Sequence, residues 1–232
     1  MTVTDVNVVK SAIFERPDDA NKGTLGSLLC VCGSYGMAGA AVMSAKGALR
    51  TGIGLAKCAL PRSIYPIVAQ TILESVYYPL SENADGRISK VNVPFLVSES
   101  CKSSATLVGC GLGVCDDTLK IVFSFIENST TPLVLDADAL NCVAKQPEIL
   151  LRKKAPIIIT PHPGEMSRLT GLATPLVNAE RERVALDFAQ KYGVVTVLKG
   201  AGTVIASPNG KVLVNPTGNS GMATGGSGDV LA

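Results

Sequence analysis

The chain has 232 residues, 47% of them hydrophobic, and its 21 basic and 19 acidic side chains give a formal net charge of +2. This near balance excludes the strongly basic surface needed to bind nucleic acid or an anionic membrane, and favours a small-molecule partner. Residues 1–23 lack the apolar core of a signal peptide, and no apolar run approaches the roughly 20 residues of a membrane span. We therefore expect a soluble cytoplasmic protein.

Short apolar runs alternate with longer amphipathic segments along the chain. The runs predict strands at residues 28–32, 55–60, 106–109, 133–136, 157–160, 194–199 and 203–207, and the segments between them predict helices at 38–51, 116–128, 164–170 and 180–192. Several strands are continuously apolar, as expected when helices cover both faces of a sheet. The turn residues at 208–210 predict a hairpin and an antiparallel edge. The sequence thus predicts one α/β domain over residues 1–232, a three-layer αβα sandwich with a mainly parallel sheet.

Seven cysteines are spread along the chain, and none of them forms a C-x-x-C pair. This spacing argues against a zinc site or a redox dithiol. Cys30 and Cys32 share one face of a predicted strand, where free cysteine packs as a small hydrophobic side chain. We expect the cysteines to be reduced and buried.

Glycines and carboxylates follow most of the predicted strands, at the sheet edge where open α/β folds bind ligands. These clusters are G-S-Y-G-M-A-G-A at 33–40, G-C-G-L-G at 109–113, D-A-D-A-L-N at 136–141, T-P-H-P-G-E at 160–165 and K-G-A-G-T at 199–203. Glycine after a strand also serves tight turns, and neither the Walker nor the Rossmann spacing is present. Asp136 and Asp138 close the fourth predicted strand, and we interpret one of them as a helix cap and the other as a ligand.

The segment from residue 218 to residue 229 contains five glycines, which leave backbone N–H groups exposed. If a helix begins near Gly226, Ser227 and Gly228, their amides would form an anion hole for a phosphoryl group. Asp229 would then lie in the first helical turn, where its carboxylate can accept a proton from an attacking hydroxyl. The alternative is a plain glycine loop with a capping aspartate. His162, the one histidine of the chain, stands between two prolines after a strand, which favours substrate contact over a core position.

Together these motifs resemble the ADP/ATP-dependent NAD(P)H-hydrate dehydratases of the ribokinase-like superfamily, over nearly the whole chain from Lys22 onward. The G-S-G-D sequence at 226–229 is similar to the anion-hole motif shared by many kinases of this fold. Three sequences are more specific: T-P-H-P-G-E, D-A-D-A-L-N and G-N-S-G-M-A-T-G-G at 218–226. Kinases of the fold usually carry Asn where His162 stands, so the resemblance favours the dehydratase.

The resemblance implies that a nucleotide phosphorylates the hydroxyl of hydrated NAD(P)H, and that phosphate then leaves to restore the double bond. It implies Asp229 as the base and Mg²⁺ held through water by Glu165. The implied contacts with the hydrated dinucleotide are Ala40, Gly113, His162 and Asp229, and those with ADP or ATP are Lys199, Gly200, Ala201, Gly202, Thr203 and Gly228. Lys199 has an alternative interpretation as a surface lysine at a strand end.

The chain ends at Ala232, where the family continues into a helix, so we expect this domain to lack the family's C-terminal helices. Bacterial relatives often carry an N-terminal epimerase domain, which we expect here on a separate chain. Relatives are often tetramers, so a homo-oligomer is expected by resemblance. Two other functions stay open: a small-molecule kinase, which would release a phosphorylated alcohol, and a truncated, non-catalytic nucleotide-binding module.

Overall fold

The computed structural model describes residues 2–4, 9–10 and 15–232, so the prediction for residues 1–23 lies partly outside the described residues. One sheet contains ten strands: β1 (Thr2–Val3), β2 (Ser27–Val31), β3 (Leu55–Pro61), β4 (Val76–Leu80), β5 (Ala105–Val108), β6 (Leu133–Leu135), β7 (Ile157–Ile159), β8 (Val195–Leu198), β9 (Thr203–Ala206) and β10 (Val212–Asn215). Their spatial order is β1-β10-β9-β8-β7-β6-β5-β2-β3-β4.

Strand pairing is parallel throughout the sheet except around β9, which runs antiparallel to both β8 and β10. The hairpin between β9 and β10 carries the predicted turn residues 208–210. The predicted mainly parallel sheet with an antiparallel edge is therefore confirmed. At that edge β1 pairs in parallel with β10, with Thr2 opposite Leu213.

Helices cover both faces of the sheet. They are α1 (Ala38–Thr51), α2 (Tyr65–Ala69), α3 (Val93–Cys101), α4 (Asp116–Asn128), α5 (Asp138–Val143), α6 (Pro163–Thr170), α7 (Thr174–Ala179), α8 (Arg181–Tyr192) and α9 (Ser227–Leu231). Three-residue to six-residue 3₁₀ turns lie at Lys90–Asn92, Pro147–Arg152 and Ser220–Met222. Neighbouring residues of β2 divide between the two faces: Leu29 packs with α3 and α4, and Cys30 packs with α1 and α2. This alternation gives the predicted three layers.

The two cores differ in side-chain size. The core under α1 and α2 is built largely from alanine and cysteine, including the predicted buried pair Cys30 and Cys32. The opposite core is built from large residues such as Phe125 and Phe188. Small side chains let α1 pack closely on the sheet, and five of the seven cysteines are buried. The burial predicted for cysteine holds for these five, whereas Cys101 is exposed and Cys115 is half-buried.

All seven strands and all four helices predicted from the sequence are present, with ends shifted by no more than a few residues. The prediction omitted two strands. One is β1, which has only two residues, and the other is β4, whose Pro79 weakens a strand pattern and is tolerated because β4 is an edge strand. It also omitted α2, α3, α5 and α7, which are short and show little alternation of polar and apolar faces.

Within the described part of the chain, no helix is long and apolar enough to cross a membrane.

Candidate functional site

Four strand ends bring polar side chains together at the carboxyl edge of the sheet. Asp136, only 1% exposed, follows β6 and accepts hydrogen bonds from Thr160 Oγ1 at 2.7 Å and Lys199 Nζ at 2.6 Å, both to Oδ1. Cys110 Sγ, after β5, lies 3.7 Å from the other oxygen, Oδ2. We call Cys110, Asp136, Thr160 and Lys199 the strand-end floor. Its centre is the buried ion pair of Asp136 with Lys199, in which Asp136 also accepts a hydrogen bond from Thr160.

The backbone after β6 is strained to form this floor. Ala137 has φ 49° and ψ −114°, and it is the one non-glycine residue with positive φ in the described ranges. Such a conformation costs about 1–3 kcal/mol. It turns the chain so that Asp136 points into the floor while Asp138 Oδ2 accepts the Gly113 N–H at 2.8 Å. Neither aspartate caps α5, whose N-cap is Ala137, so the predicted capping role is wrong.

Gly109 permits the close approach of β5 to this turn. A Cβ at this position would lie 1.9 Å from the Asp136 carbonyl oxygen, and its φ is +129°. No other residue type fits such a contact. The glycine after β5 therefore has a packing reason that goes beyond a simple turn.

Asp229 lies in the first turn of α9, which begins at Ser227 with Gly226 as its N-cap. One ligand atom each from Asp229, Asp136 and Cys110 lies within 4.8 Å of the others. Burial raises the pKa of Asp229, and the negative charge of Asp136 raises it further, whereas Cys110 and Lys199 act to lower it. Asp229 is thus a stronger base than an ordinary aspartate, in the position that the sequence predicts for one.

His162 and Glu165 form a reciprocal cap at the start of α6. His162 Nδ1 accepts the N–H groups of Gly164 at 3.0 Å and Glu165 at 3.4 Å, and Glu165 Oε2 accepts the His162 N–H at 2.8 Å. The His162 side chain is 50% exposed, so the prediction that it is not a core histidine is confirmed. Its ring lies open beside the floor, where a ligand can reach it.

Glu165 is only 5% exposed, and burial raises the pKa of its carboxyl while the charges of Lys199 and His162 act in the opposite direction. The carboxylate of Asp136, which acts on the pKa of Glu165, supplies further oxygen donors, and oxygen atoms are the ligands that Mg²⁺ prefers. The residues therefore fit a magnesium ion held through water. Glu165 has acceptor positions left for such a water, because each carboxylate oxygen has two lone pairs.

Lys199 leads into the turn that joins β8 and β9. Its side chain is 16% exposed and ion-paired with Asp136, so the interpretation as a surface lysine is wrong. A Cβ at Gly228 would lie 3.5 Å from Lys199 Nζ, which places the anion-hole segment directly beside this ammonium group. Lys199 thus joins the floor to the glycine segment.

Gly200, Ala201, Gly202 and Thr203 continue this turn, which Thr203 Oγ1 closes by donating to the Gly200 carbonyl at 3.0 Å. Ala201 and Gly202 line a cavity of about 440 Å³ beside the start of α8. Arg181, which the sequence did not single out, also lines it. Nothing in the sequence marks this arginine, because its partners are backbone carbonyls rather than side chains.

Ala40 and Gly113 lie on the same edge of the sheet as the floor. Ala40 is 4% exposed and lies in the first turn of α1. A Cβ at Gly111 would lie 2.7 Å from the Cβ of Ala40. Gly113 has a φ of +75° and donates to Asp138. The structure therefore brings Lys199, Gly228 and Asp229 into one cluster and places Ala40, Gly113, His162 and Glu165 around it. The sequence missed Cys110 as a neighbour of the carboxylates.

Comparison with known proteins identifies the family. A family model described as NAD(P)H-hydrate dehydratase matches residues 28–232. A bifunctional NAD(P)H-hydrate repair enzyme from Thermofilum pendens is 41% identical over 93% of this chain, and the chain spans only 41% of that relative's length. An ADP-dependent (S)-NAD(P)H-hydrate dehydratase from Neisseria meningitidis is 35% identical, over 93% of this chain and 70% of its own.

A solved structure of the ADP/ATP-dependent NAD(P)H-hydrate dehydratase from Bacillus subtilis, co-crystallised with ATP and Mg²⁺, superposes with a TM-score of 0.83 at 31% identity. The match covers 99% of this chain and 78% of that one. The likeness confirms the predicted ribokinase-like fold class. This chain therefore belongs to the NAD(P)H-hydrate dehydratase family.

Proposed function

We propose that this chain uses ADP or ATP to dehydrate hydrated NAD(P)H back to NAD(P)H, a metabolite-repair reaction. The observation that carries the proposal is the position of Asp229, a carboxylate of raised pKa that lies beside Asp136 in the first turn of α9. Family membership supplies the substrate class. The homo-oligomer and the cytoplasmic location stay predictions.

The chemistry requires a better leaving group than the ring hydroxyl, because hydroxide leaves poorly and phosphate leaves well. Asp229 accepts the proton of the substrate hydroxyl while the hydroxyl oxygen attacks the terminal phosphorus of the nucleotide. The P–O bond to the next phosphate breaks at the same time, so that AMP leaves from ADP, or ADP from ATP. The phosphate ester then breaks its C–O bond, phosphate departs with the electron pair, and loss of a ring proton restores the double bond. Base catalysis of this kind contributes about 10²–10⁴-fold to a rate.

The anion hole is assigned to Gly226, Ser227 and Gly228, whose backbone N–H groups would donate hydrogen bonds to the phosphoryl oxygens beside Lys199. Magnesium, when bound with the nucleotide, would neutralise charge on those oxygens, and Glu165 would hold it through water. The adenine nucleotide is assigned to Lys199, Gly200, Ala201, Gly202, Thr203 and Gly228, and the hydrated dinucleotide to Ala40, Gly113, His162 and Asp229. These roles agree with the positions of the residues around one sheet edge.

The test is the near-ultraviolet absorbance of reduced nicotinamide, recorded after hydrated NADH, magnesium and ADP or ATP are added. We expect a nucleotide-dependent rise in absorbance with the wild type. Asp229→Asn should lose about 10²–10⁴-fold in turnover while still binding nucleotide, because the shape of the side chain is kept and the base is removed. Asp187→Asn, at an exposed position on α8, serves as the control and should retain full activity.

Product analysis separates the alternative functions. A stable phosphorylated alcohol instead of free phosphate would identify a kinase, and nucleotide binding without turnover would identify an inert module. Turnover that is unchanged in Asp229→Asn would remove Asp229 from the mechanism.

A further inference from the structure

Arg181, the first residue of α8, ties together both sides of the turn at residues 199–203. Its Nη2 donates to the Leu198 carbonyl at 2.8 Å and to the Gly202 carbonyl at 3.4 Å. Leu198 is the last residue of β8, and Gly202 immediately precedes β9. One nitrogen therefore spans the turn from end to end, and holds it by hydrogen bonds from a charged donor.

The guanidinium also packs against the middle of the turn. A Cβ at Gly200 would lie 2.7 Å from Arg181 Nη1 and 2.9 Å from Nη2, and Gly200 has a φ of +150°. The backbone at Gly200 thus lies against the Nη1 and Nη2 atoms of Arg181. The path of residues 199–203 depends on a flat, multidentate group at this position, which lysine cannot supply.

The environment of Arg181 is unfavourable for the stability of the fold. Among the residues that the structure describes, Arg181 forms no salt bridge, and its Nε is buried without an acceptor. Burial lowers the pKa of its guanidinium, as expected for a cation withdrawn from water. A buried donor without a partner and a cation without a counterion both destabilise a fold. A role in ligand binding would account for an arginine at this position.

The adjoining cavity lies beside the segment assigned to the nucleotide. It has a volume of about 440 Å³, and the residues that line it include Arg181, Ala201, Gly202, Glu180, Glu182 and Arg183. The two glutamates offset the charge of the two arginines. Arg181 is therefore linked to the nucleotide segment by its contacts with the turn, and not by the charge of the cavity.

We propose that Arg181 is a positioning residue for the nucleotide co-substrate: it holds residues 199–203 in the shape that binds ADP or ATP. The inference rests on the proposed function of this segment. Arg181 acts through the segment and does not take part in the chemistry at Asp229. Its loss should therefore weaken nucleotide binding and leave the use of the hydrated dinucleotide unchanged.

Arg183 provides a matched control on the same helix. It reaches the rim of the same cavity, but its guanidinium is 58% exposed and paired with Glu180 and with Asp187. Replacing Arg183 removes a positive charge near the cavity without removing a contact to the turn. Comparison of the two arginines separates the effect of the turn contacts from that of charge alone.

The experiment measures KM for ADP and ATP, KM for hydrated NADH, and kcat in wild type, Arg181→Lys, Arg181→Met and Arg183→Met. We expect Arg181→Met to raise the nucleotide KM by about ten-fold or more, since a hydrogen bond from a charged group is lost. KM for the hydrate should not change, and kcat should stay within about three-fold. Arg181→Lys keeps the charge on a single donor nitrogen, so its effect should be intermediate. Arg183→Met should match the wild type.

Calorimetric titration with ADP and magnesium gives a second measurement that does not depend on turnover, with Lys199→Met as a variant expected to bind weakly. If wild type binds nucleotide and Arg181→Met binds it equally well, the inference is overturned and the proposed function stands. If wild type binds no nucleotide, both are overturned. If Arg181→Met does not fold, Arg181→Lys decides the question. A folded Arg181→Lys protein with the nucleotide KM of wild type would overturn the inference. A raised nucleotide KM in Arg183→Met would then assign the effect to positive charge in general.

Discussion

The strand-end floor and the glycine segment at residues 218–229 form two sides of one site, yet they are held in different ways. In the floor, Asp136 and Thr160 are buried, and side chains from neighbouring strands bond to one another. Residues 216–225 are exposed, and their hydrogen bonds join near neighbours, such as Gly221 N–H to Asn219 Oδ1 at 2.9 Å. The fold therefore builds the floor in advance, whereas ordering of the glycine segment is left to the ligand. Substitutions in the floor should affect stability most, and substitutions in the segment should affect activity.

The largest loss of stability is expected at the ion pair of the floor. Lys199→Met leaves Asp136 buried without its cation, and Asp136→Leu leaves the ammonium without its carboxylate. Either change should lower the free energy of unfolding by about 3–5 kcal/mol, measured by urea denaturation. The double variant should lose less than the sum of the two. Glu127→Gln, which breaks an exposed pair with Arg152, is the control and should cost less than about 1 kcal/mol.

The cap at His162 should have an intermediate effect and separates stability from specificity. His162→Ala removes the acceptor for two N–H groups at the start of α6, so it should cost about 0.5–2 kcal/mol. Asparagine is a good N-cap, so His162→Asn should restore most of this stability. If His162 contacts the substrate, both variants should lose activity with hydrated NADH, and full activity in His162→Asn would limit the residue to capping.

The charge of Asp229 should have a smaller effect on the stability of the fold, and this effect should depend on pH. Folding raises the pKa of this carboxyl, chiefly by burial. The folded state therefore loses stability as the pH rises from the ordinary pKa of aspartate through the raised pKa of the folded protein. Asp229→Asn removes this destabilisation. Without nucleotide or metal, the variant should melt at a higher temperature than wild type near neutral pH, and the difference should vanish below about pH 4. An equal difference at both pH values would contradict the burial of the charge.

The smallest changes in stability are expected in the glycine segment. A Cβ at Gly225 would meet no atom within 4 Å, and one at Gly228 would make an ordinary contact at 3.5 Å with Lys199 Nζ. Alanine at either position should therefore change the free energy of unfolding by less than about 0.5–1 kcal/mol. Gly228→Ala should nevertheless reduce turnover strongly, because a methyl group would stand where the phosphoryl group is proposed to bind. Equal turnover in the two variants would contradict the anion hole.

The elements and the edge of the sheet that carries the site could be predicted because they depend on local patterns. Apolar runs gave the strands, and glycines and carboxylates after them marked the ligand edge. The hydrogen-bond partners could not be predicted, because they depend on strand order. Asp136 meets Lys199 across 63 residues of sequence only because β6, β7 and β8 are neighbours. Arg181 left no signal, since backbone carbonyls have no residue identity. The cap predicted at one of Asp136 and Asp138 was wrong, because the strained Ala137 is itself the N-cap of α5.

The pairing of β1 with β10 has a consequence for folding of the chain. The Thr4 N–H donates to the Val214 carbonyl at 3.0 Å, and Thr4 Oγ1 donates to the same oxygen across 210 positions of sequence. Contacts between residues so far apart in sequence form slowly. We therefore expect this edge of the sheet to close late in folding, and until β1 docks, β10 presents an open edge to other chains.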